Sequence, residues 1–116
     1  MPFSGSCHCG AVTFTIDAEP PTKAMSCNCS HCRRKGFLLT FFAPEQFTLD
    51  KGDASLATYL FNRHNIEHKF CTTCGTEAFA HGKSPNGSRM YAINLRCVET
   101  IDLETLDIAK VDGASF

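Results

Sequence analysis

"GSCHCGAVTFTI", residues 5–16, joins a cysteine pair, Cys7 and Cys9, to a run of strict alternation. Val12, Phe14 and Ile16 fall on one face and Ala11, Thr13 and Thr15 on the other, which is the period-2 pattern of a half-buried strand. In extended chain, residues i and i+2 share a face about 6.6 Å apart, and a small turn brings two such side chains to one point. The stretch therefore predicts a β fold in which cysteines gather beside a strand.

The same patterning continues outward. "FLLTFFA" (37–43) is apolar throughout, too short for a typical helix and rich in aromatics, so it predicts a strand buried on both faces. "FTL" (47–49), "SLATYLF" (55–61), "NIEHKF" (65–70), "EAFA" (77–80) and "RMYAINL" (89–95) predict further strands. Between them "PEQ", "DKGD" and "GKSPNGS" carry turn chemistry, and "SPNGS" (84–88) predicts a hairpin loop. The spacing is that of an all-β sandwich or barrel. Helix is expected at one place at most, "VETIDLETLDI" (98–108), where Asp102 can cap a short turn ahead of Leu103 and Leu106; a strand fits the same spacing. Most of the ten phenylalanines are expected to fill the core of a tryptophan-free chain.

A length of 116 residues suits one domain, expected over residues 1–116. No window approaches the apolar run of a membrane span, and the start "MPFSGSCHCG" lacks a basic segment followed by an apolar one, so a cytoplasmic protein without membrane contact is expected. Eight cysteines in that setting point to thiols or metal ligands before disulfides. The formal charge of -1 gives no electrostatic reason to bind nucleic acid. Seven thiolates on two zinc ions would lower the net charge to about -4, since ligating cysteines are deprotonated. "RRK" (33–35) then offsets charge beside a cysteine cluster.

Seven cysteines form three clusters: Cys7-x-Cys9, Cys27-x-Cys29-x-x-Cys32 and Cys71-x-x-Cys74, with Cys97 alone. Gly75, directly after Cys74, supplies the freedom that a metal knuckle needs. Cys7, Cys9, Cys71 and Cys74 make two pairs that complete a four-ligand structural zinc site, which leaves three ligands at Cys27, Cys29 and Cys32. Two other partitions suit the spacings: Cys29 and Cys32 with Cys71 and Cys74 as a zinc ribbon, or Cys97 closing the middle site. Cys97, beside "AINL", also reads as a small buried hydrophobe.

Three protein ligands with one open position is the rule for catalytic zinc. Three thiolates leave the metal a weak Lewis acid, poorly suited to activating water. A thiol starts from a pKa near 8.5 against 15.7 for water and is deprotonated outright on coordination. The expected occupant of the open position is an exogenous thiol.

"GSCHCGAVTF" (5–14), "CNCSHCRRKG" (27–36) and "FCTTCGT" (70–76), in this order, resemble the family of the glutathione-dependent formaldehyde-activating enzyme, which also contains centromere protein V. Each cysteine pair alone is weak; the three together are specific, and the ending "DGASF" also fits. The resemblance implies an all-β, Mss4-like fold of stacked antiparallel sheets organised around zinc. It implies a structural zinc at Cys7, Cys9, Cys71 and Cys74 and a catalytic zinc at Cys27, Cys29 and Cys32. It also implies carbon–sulfur lyase chemistry of the S-hydroxymethylglutathione synthase kind, with glutathione or a similar small thiol and an aldehyde as partners. The non-enzymatic alternative is a zinc-stabilised binding domain.

Other residues carry two readings each. His8 and His31 lie inside cysteine motifs, as ligand or proton shuttle, or as polar loop residues. His64 and His68 share a strand face with Ile66 and Phe70, as a metal pair or as hydrogen-bonded histidines near the core. Arg33 and Arg34 are candidate partners for a substrate carboxylate or thiolate, or a solvated turn. Phe37, Phe41 and Phe42 either wall a pocket or pack the core. Exposed β edges make a homodimer a reasonable expectation.

Overall fold

A computed structural model describes residues 1–60, 66–83 and 87–112. The strands are β1 (Phe3–Ser6), β2 (Thr13–Ile16), β3 (Lys23–Cys27), β4 (Leu39–Phe42), β5 (Phe47–Lys51), β6 (Leu56–Tyr59), β7 (Ile66–Cys71), β8 (Phe79–Lys83), β9 (Arg89–Asn94) and β10 (Asp107–Val111). A single α-helix among the described residues, α1 (Ser30–Lys35), lies between β3 and β4. His64, residues 84–86 of the predicted hairpin loop and residues 113–116 lie outside the described residues.

Two sheets stack to make the all-β fold. Strands β1-β2-β5 form the smaller, and β10-β3-β4-β9-β8-β7-β6 form the larger. Val12, Phe14 and Ile16 are almost wholly buried, as the alternation requires, and meet the inner face of the large sheet. Phe14 stacks on Phe47 at 5.8 Å and meets Phe79 edge-on at 6.3 Å, while Phe3 lies 5.8 Å from Phe42. Burying each such ring contributes about 1.5–3 kcal/mol.

Register decides what the large sheet shows on its other face. Phe42, Phe79 and Ile93 are buried toward the small sheet. Their neighbours along each strand must point away from it. Cross-strand pairing then sets Tyr59, His68, Ala80, Ala92 and Phe41 in one row across five strands. Two alanines stand at the centre of that row with larger side chains to either side, so the outer face is hollow in the middle.

Four expectations need correction. The run 37–43 is not buried on both faces: only Leu39–Phe42 is strand, and Phe41 is 42% exposed because it belongs to the outer row. Of the two readings of residues 98–108, the helix gives way to a capped short turn and a strand. Asp102 caps a 3₁₀ turn at Leu103–Thr105, accepting from the Glu104 N–H at 3.0 Å, and the chain then enters β10. β10 pairs with β3 in parallel, an exception to the antiparallel stacking that the resemblance implies. The helix stands instead at Ser30–Lys35, where the sequence predicts none. Phe37 and Phe42 are both buried, but only Phe42 joins the core between the sheets. The "SPNGS" loop does join two antiparallel strands, β8 and β9.

No helix among the described residues is long and apolar enough to cross a membrane.

Candidate metal centres and adjoining cavity

Every cysteine is a free thiol, and seven of them converge in two groups. Cys7 follows β1 and Cys9 sits in the loop to β2, while Cys71 ends β7 and Cys74 lies in the turn before β8. Their four sulfurs lie within 4.8 Å of one another. Cys7 Sγ is 3.6 Å from Cys9 Sγ, and Cys9 Sγ is 3.7 Å from Cys71 Sγ. A tetrahedral zinc with bonds near 2.3 Å sets sulfur–sulfur edges at about 3.8 Å, so the donor set fits that ion. Gly75 has φ 81°, the left-handed conformation that this knuckle requires.

Backbone N–H groups already face these sulfurs. Val12 N–H donates to Cys7 Sγ at 3.3 Å and Thr73 N–H to Cys71 Sγ at 3.4 Å. The Thr76 hydroxyl holds the Cys74 thiol down at about 5, and the Cys74 backbone lowers Cys71. The thiolate, the form that binds metal, is favoured at Cys71 and Cys74, whereas at Cys9 the Ala11 backbone is outweighed by burial and the neighbouring sulfurs, which push it up to about 11.

The second group is local. Cys27 ends β3, Cys29 is the N-cap of α1 and Cys32 lies within it, with the three sulfurs inside 4.8 Å. Cys29 caps as Ser or Asp would: its sulfur accepts from the Cys32 N–H at 3.3 Å, and Cys27 Sγ accepts from the Cys29 N–H at 3.5 Å. Burial works against the Cys29 thiolate, yet the backbone N–H groups of Cys32 and His31, with the Cys32 and Cys27 thiols, outweigh it and its pKa is lowered. Burial raises that of Cys32. Gly36, at φ 70°, closes the helix by donating to the Cys32 carbonyl at 2.9 Å. Arg33, Arg34 and Lys35 occupy the last turn, where cations suit the helix dipole.

Among the described residues no fourth cysteine, histidine or carboxylate joins this trio. Cys97 does not close it: that thiol is buried against the core beside Cys7 and Cys74, and burial pushes it up to about 12. Nor do Cys29 and Cys32 join Cys71 and Cys74 as a ribbon.

The trio opens on the hollow outer face of the large sheet, a cavity of about 340 Å³. Phe37, Leu39, Phe41, Ala80 and Ala92 line it together with the three cysteines. Phe37 and Phe41 thus wall a pocket, while Phe42 does not.

One buried polar cluster borders this cavity and a second hollow of about 590 Å³. The Glu77 carboxylate lies 3.2 and 3.3 Å from His31 Nε2 and 3.1 Å from His68 Nδ1, with all three side chains under a tenth exposed. His31 also stacks on Tyr59 at 5.5 Å and tilts against His68 at 4.2 Å. Burial lowers the His31 pKa although Glu77 opposes the shift. Glu77 is missing from the sequence reading. The signal for it was a charge in "TEAFA", two positions before the inward-facing Phe79.

The remaining predicted residues sit farther out. Arg33 lines a third hollow with Cys27, Cys32 and Lys110, while Arg34 lines the larger hollow and donates to the Ser30 carbonyl at 2.9 Å. Neither lines the apolar cavity among its described residues. His8 is exposed and belongs to no ligand cluster among the described residues.

A crystal structure of a Rhodobacter sphaeroides protein is similar over 91% of this chain and 99% of that one, with a TM-score of 0.77 and 25% identity. Residues 2–109 match the family described as glutathione-dependent formaldehyde-activating enzyme. With that match running through both cysteine groups, the chain belongs to the glutathione-dependent formaldehyde-activating enzyme family.

Proposed function

We propose that the protein is a zinc-dependent enzyme of the carbon–sulfur lyase type that joins a thiol to an aldehyde, reversibly, as the family name suggests for glutathione and formaldehyde. Two zinc ions per chain are proposed, a structural one at Cys7, Cys9, Cys71 and Cys74 and a catalytic one at Cys27, Cys29 and Cys32. The observation that carries this reading is the ligand count: the middle trio has three sulfurs, opens on a cavity and has no fourth protein donor among the described residues. Zinc at such a site, when bound, supplies a charge that deprotonates an incoming thiol and holds its sulfur.

The chain's own residues do the rest. Cys27, Cys29 and Cys32 fix the place of reaction, and the N–H groups of Cys29 and Cys32 stabilise the thiolate charge. Phe37, Leu39 and Phe41 keep water off it. Glu77, bonded to His31 and His68, fastens the cysteine helix to the sheet. In the net reaction the thiol sulfur adds to the carbonyl carbon, the C=O π bond breaks, and the proton that left sulfur ends on oxygen. No oxidant or reductant is needed.

The test is metal content together with rate. Wild-type protein should hold two zinc ions and form the hydroxymethyl adduct faster than the spontaneous reaction. Cys29→Ser should hold one, keep its fold and lose the excess rate. A folded protein with two zinc ions and no rate above background would leave a zinc-stabilised binding domain as the better reading.

A further inference from the structure

We propose that the ligand reaching the three-cysteine cluster carries an apolar body, an aliphatic or aromatic group beside its thiol, rather than the charged peptide of glutathione. This rests on the thiol-binding reading above and names its substrate class.

The hollow exists because of residue size. In the outer row of the large sheet, Ala80 and Ala92 stand between His68 and Phe41, and their small side chains leave a floor that no described residue fills. The volume, about 340 Å³, lies at the lower end of small-molecule sites. Formaldehyde, with no side chain, does not require it.

Charge points the same way. Among the described lining residues there is no Lys or Arg, and the one acidic side chain besides the three cysteines, Glu77, is already engaged by two histidines. Glutathione brings carboxylates, which lose hydration in such a wall without gaining a partner. The cations of α1 line the neighbouring hollows, Arg34 and Lys35 one and Arg33 the other, where Arg33 stands with Lys110, Cys27 and Cys32 away from the floor of Ala80 and Ala92.

Exposure gives a further, independent indication. Phe41 and Ile66, both lining the cavity, are 42% and 46% exposed. Scattered apolar residues on a surface need no explanation, but two large ones bordering one hollow beside a reactive cluster mark a site for an apolar group.

The experiment titrates cobalt-substituted protein with phenylmethanethiol and, separately, with glutathione, following the ligand-field bands and the heat of binding. Phenylmethanethiol is expected to saturate both signals at a concentration lower by about tenfold or more, the effect of burying one ring. Phe41→Ala, a change at a half-exposed position, should weaken phenylmethanethiol by about fivefold. Equal or tighter binding of glutathione overturns the apolar preference and leaves the thiol-binding reading intact. Heat of binding for phenylmethanethiol without a spectral change overturns coordination by the thiol while the apolar preference stands. No binding of either thiol overturns both, and an unchanged affinity in Phe41→Ala overturns the placement in this cavity.

Discussion

His31, in the helix that contains one of the three clustered cysteines and is capped by a second, meets the buried carboxylate of Glu77 at 3.2 and 3.3 Å, three residues beyond Cys74 of the other cluster. One hydrogen-bonded contact therefore joins the two cysteine groups. Glu77 is held in turn by His68 of β7, so the cysteine helix is tied to a strand next to the edge of the large sheet.

Glu77→Ala removes the carboxylate shared by two buried histidines and should destabilise the protein by roughly 3–5 kcal/mol, with Glu77→Gln costing less, about 1–3 kcal/mol. Urea unfolding measures both. In Glu77→Gln the affinity of the three-cysteine centre for cobalt should fall by about 10- to 100-fold, the usual effect of losing a group that orients a metal site. Unchanged affinity would mean that the contact only stabilises the fold.

The two cysteine groups should differ in what they do for stability. Cys7 and Cys9 lie between β1 and β2 of the small sheet, and Cys71 and Cys74 at the end of β7 and in the turn after it, so a metal there closes a loop of more than sixty residues. The trio spans only Cys27 to Cys32, and closing so short a loop constrains the unfolded chain far less. Thermal unfolding of zinc-loaded protein should show a large loss of Tm in Cys71→Ser and a small one in Cys29→Ser. Chelation should unfold the protein as the four-cysteine site empties, since binding energy at a structural zinc is folding energy.

Cys97 gives a pH dependence with a definite sign. Burial raises its pKa to about 12 from an ordinary 9.0, so the folded state holds the proton more tightly than the unfolded state. Its contribution to stability is complete below pH 9 and is lost as the pH rises from there toward 12. Urea midpoints at pH 7 and pH 10.5 should diverge more for the wild type than for Cys97→Ala.

Gly5 in β1 has no room for a side chain. A Cβ there would stand 2.5 Å from the Phe14 ring and 2.8 Å from the Cys97 carbonyl, and the latter is backbone that cannot swing away. Gly5→Ala should lower stability by roughly 1–3 kcal/mol, read as a drop in Tm with the metal content unchanged.

Local pattern was enough for the all-β class, for the buried face of Val12, Phe14 and Ile16, and for the three cysteine clusters. Each of these follows from a short-range rule, a period of two or a ligand spacing, that holds wherever the segment ends up. Three partitions of those clusters suited the spacings, and the fold brings Cys7 and Cys9 to Cys71 and Cys74. Helix α1 was not legible: six residues whose buried side chain, His31, is polar carry no apolar period, and cysteine is not a usual cap. Gly36 behind three basic residues was the available sign. The parallel β3–β10 pair, the contact of His31 with Glu77 and the hollow over Ala80 and Ala92 were decided by tertiary structure alone. They depend on which strands become neighbours and in what register, and strand pairing between distant segments leaves no mark in either segment's own sequence.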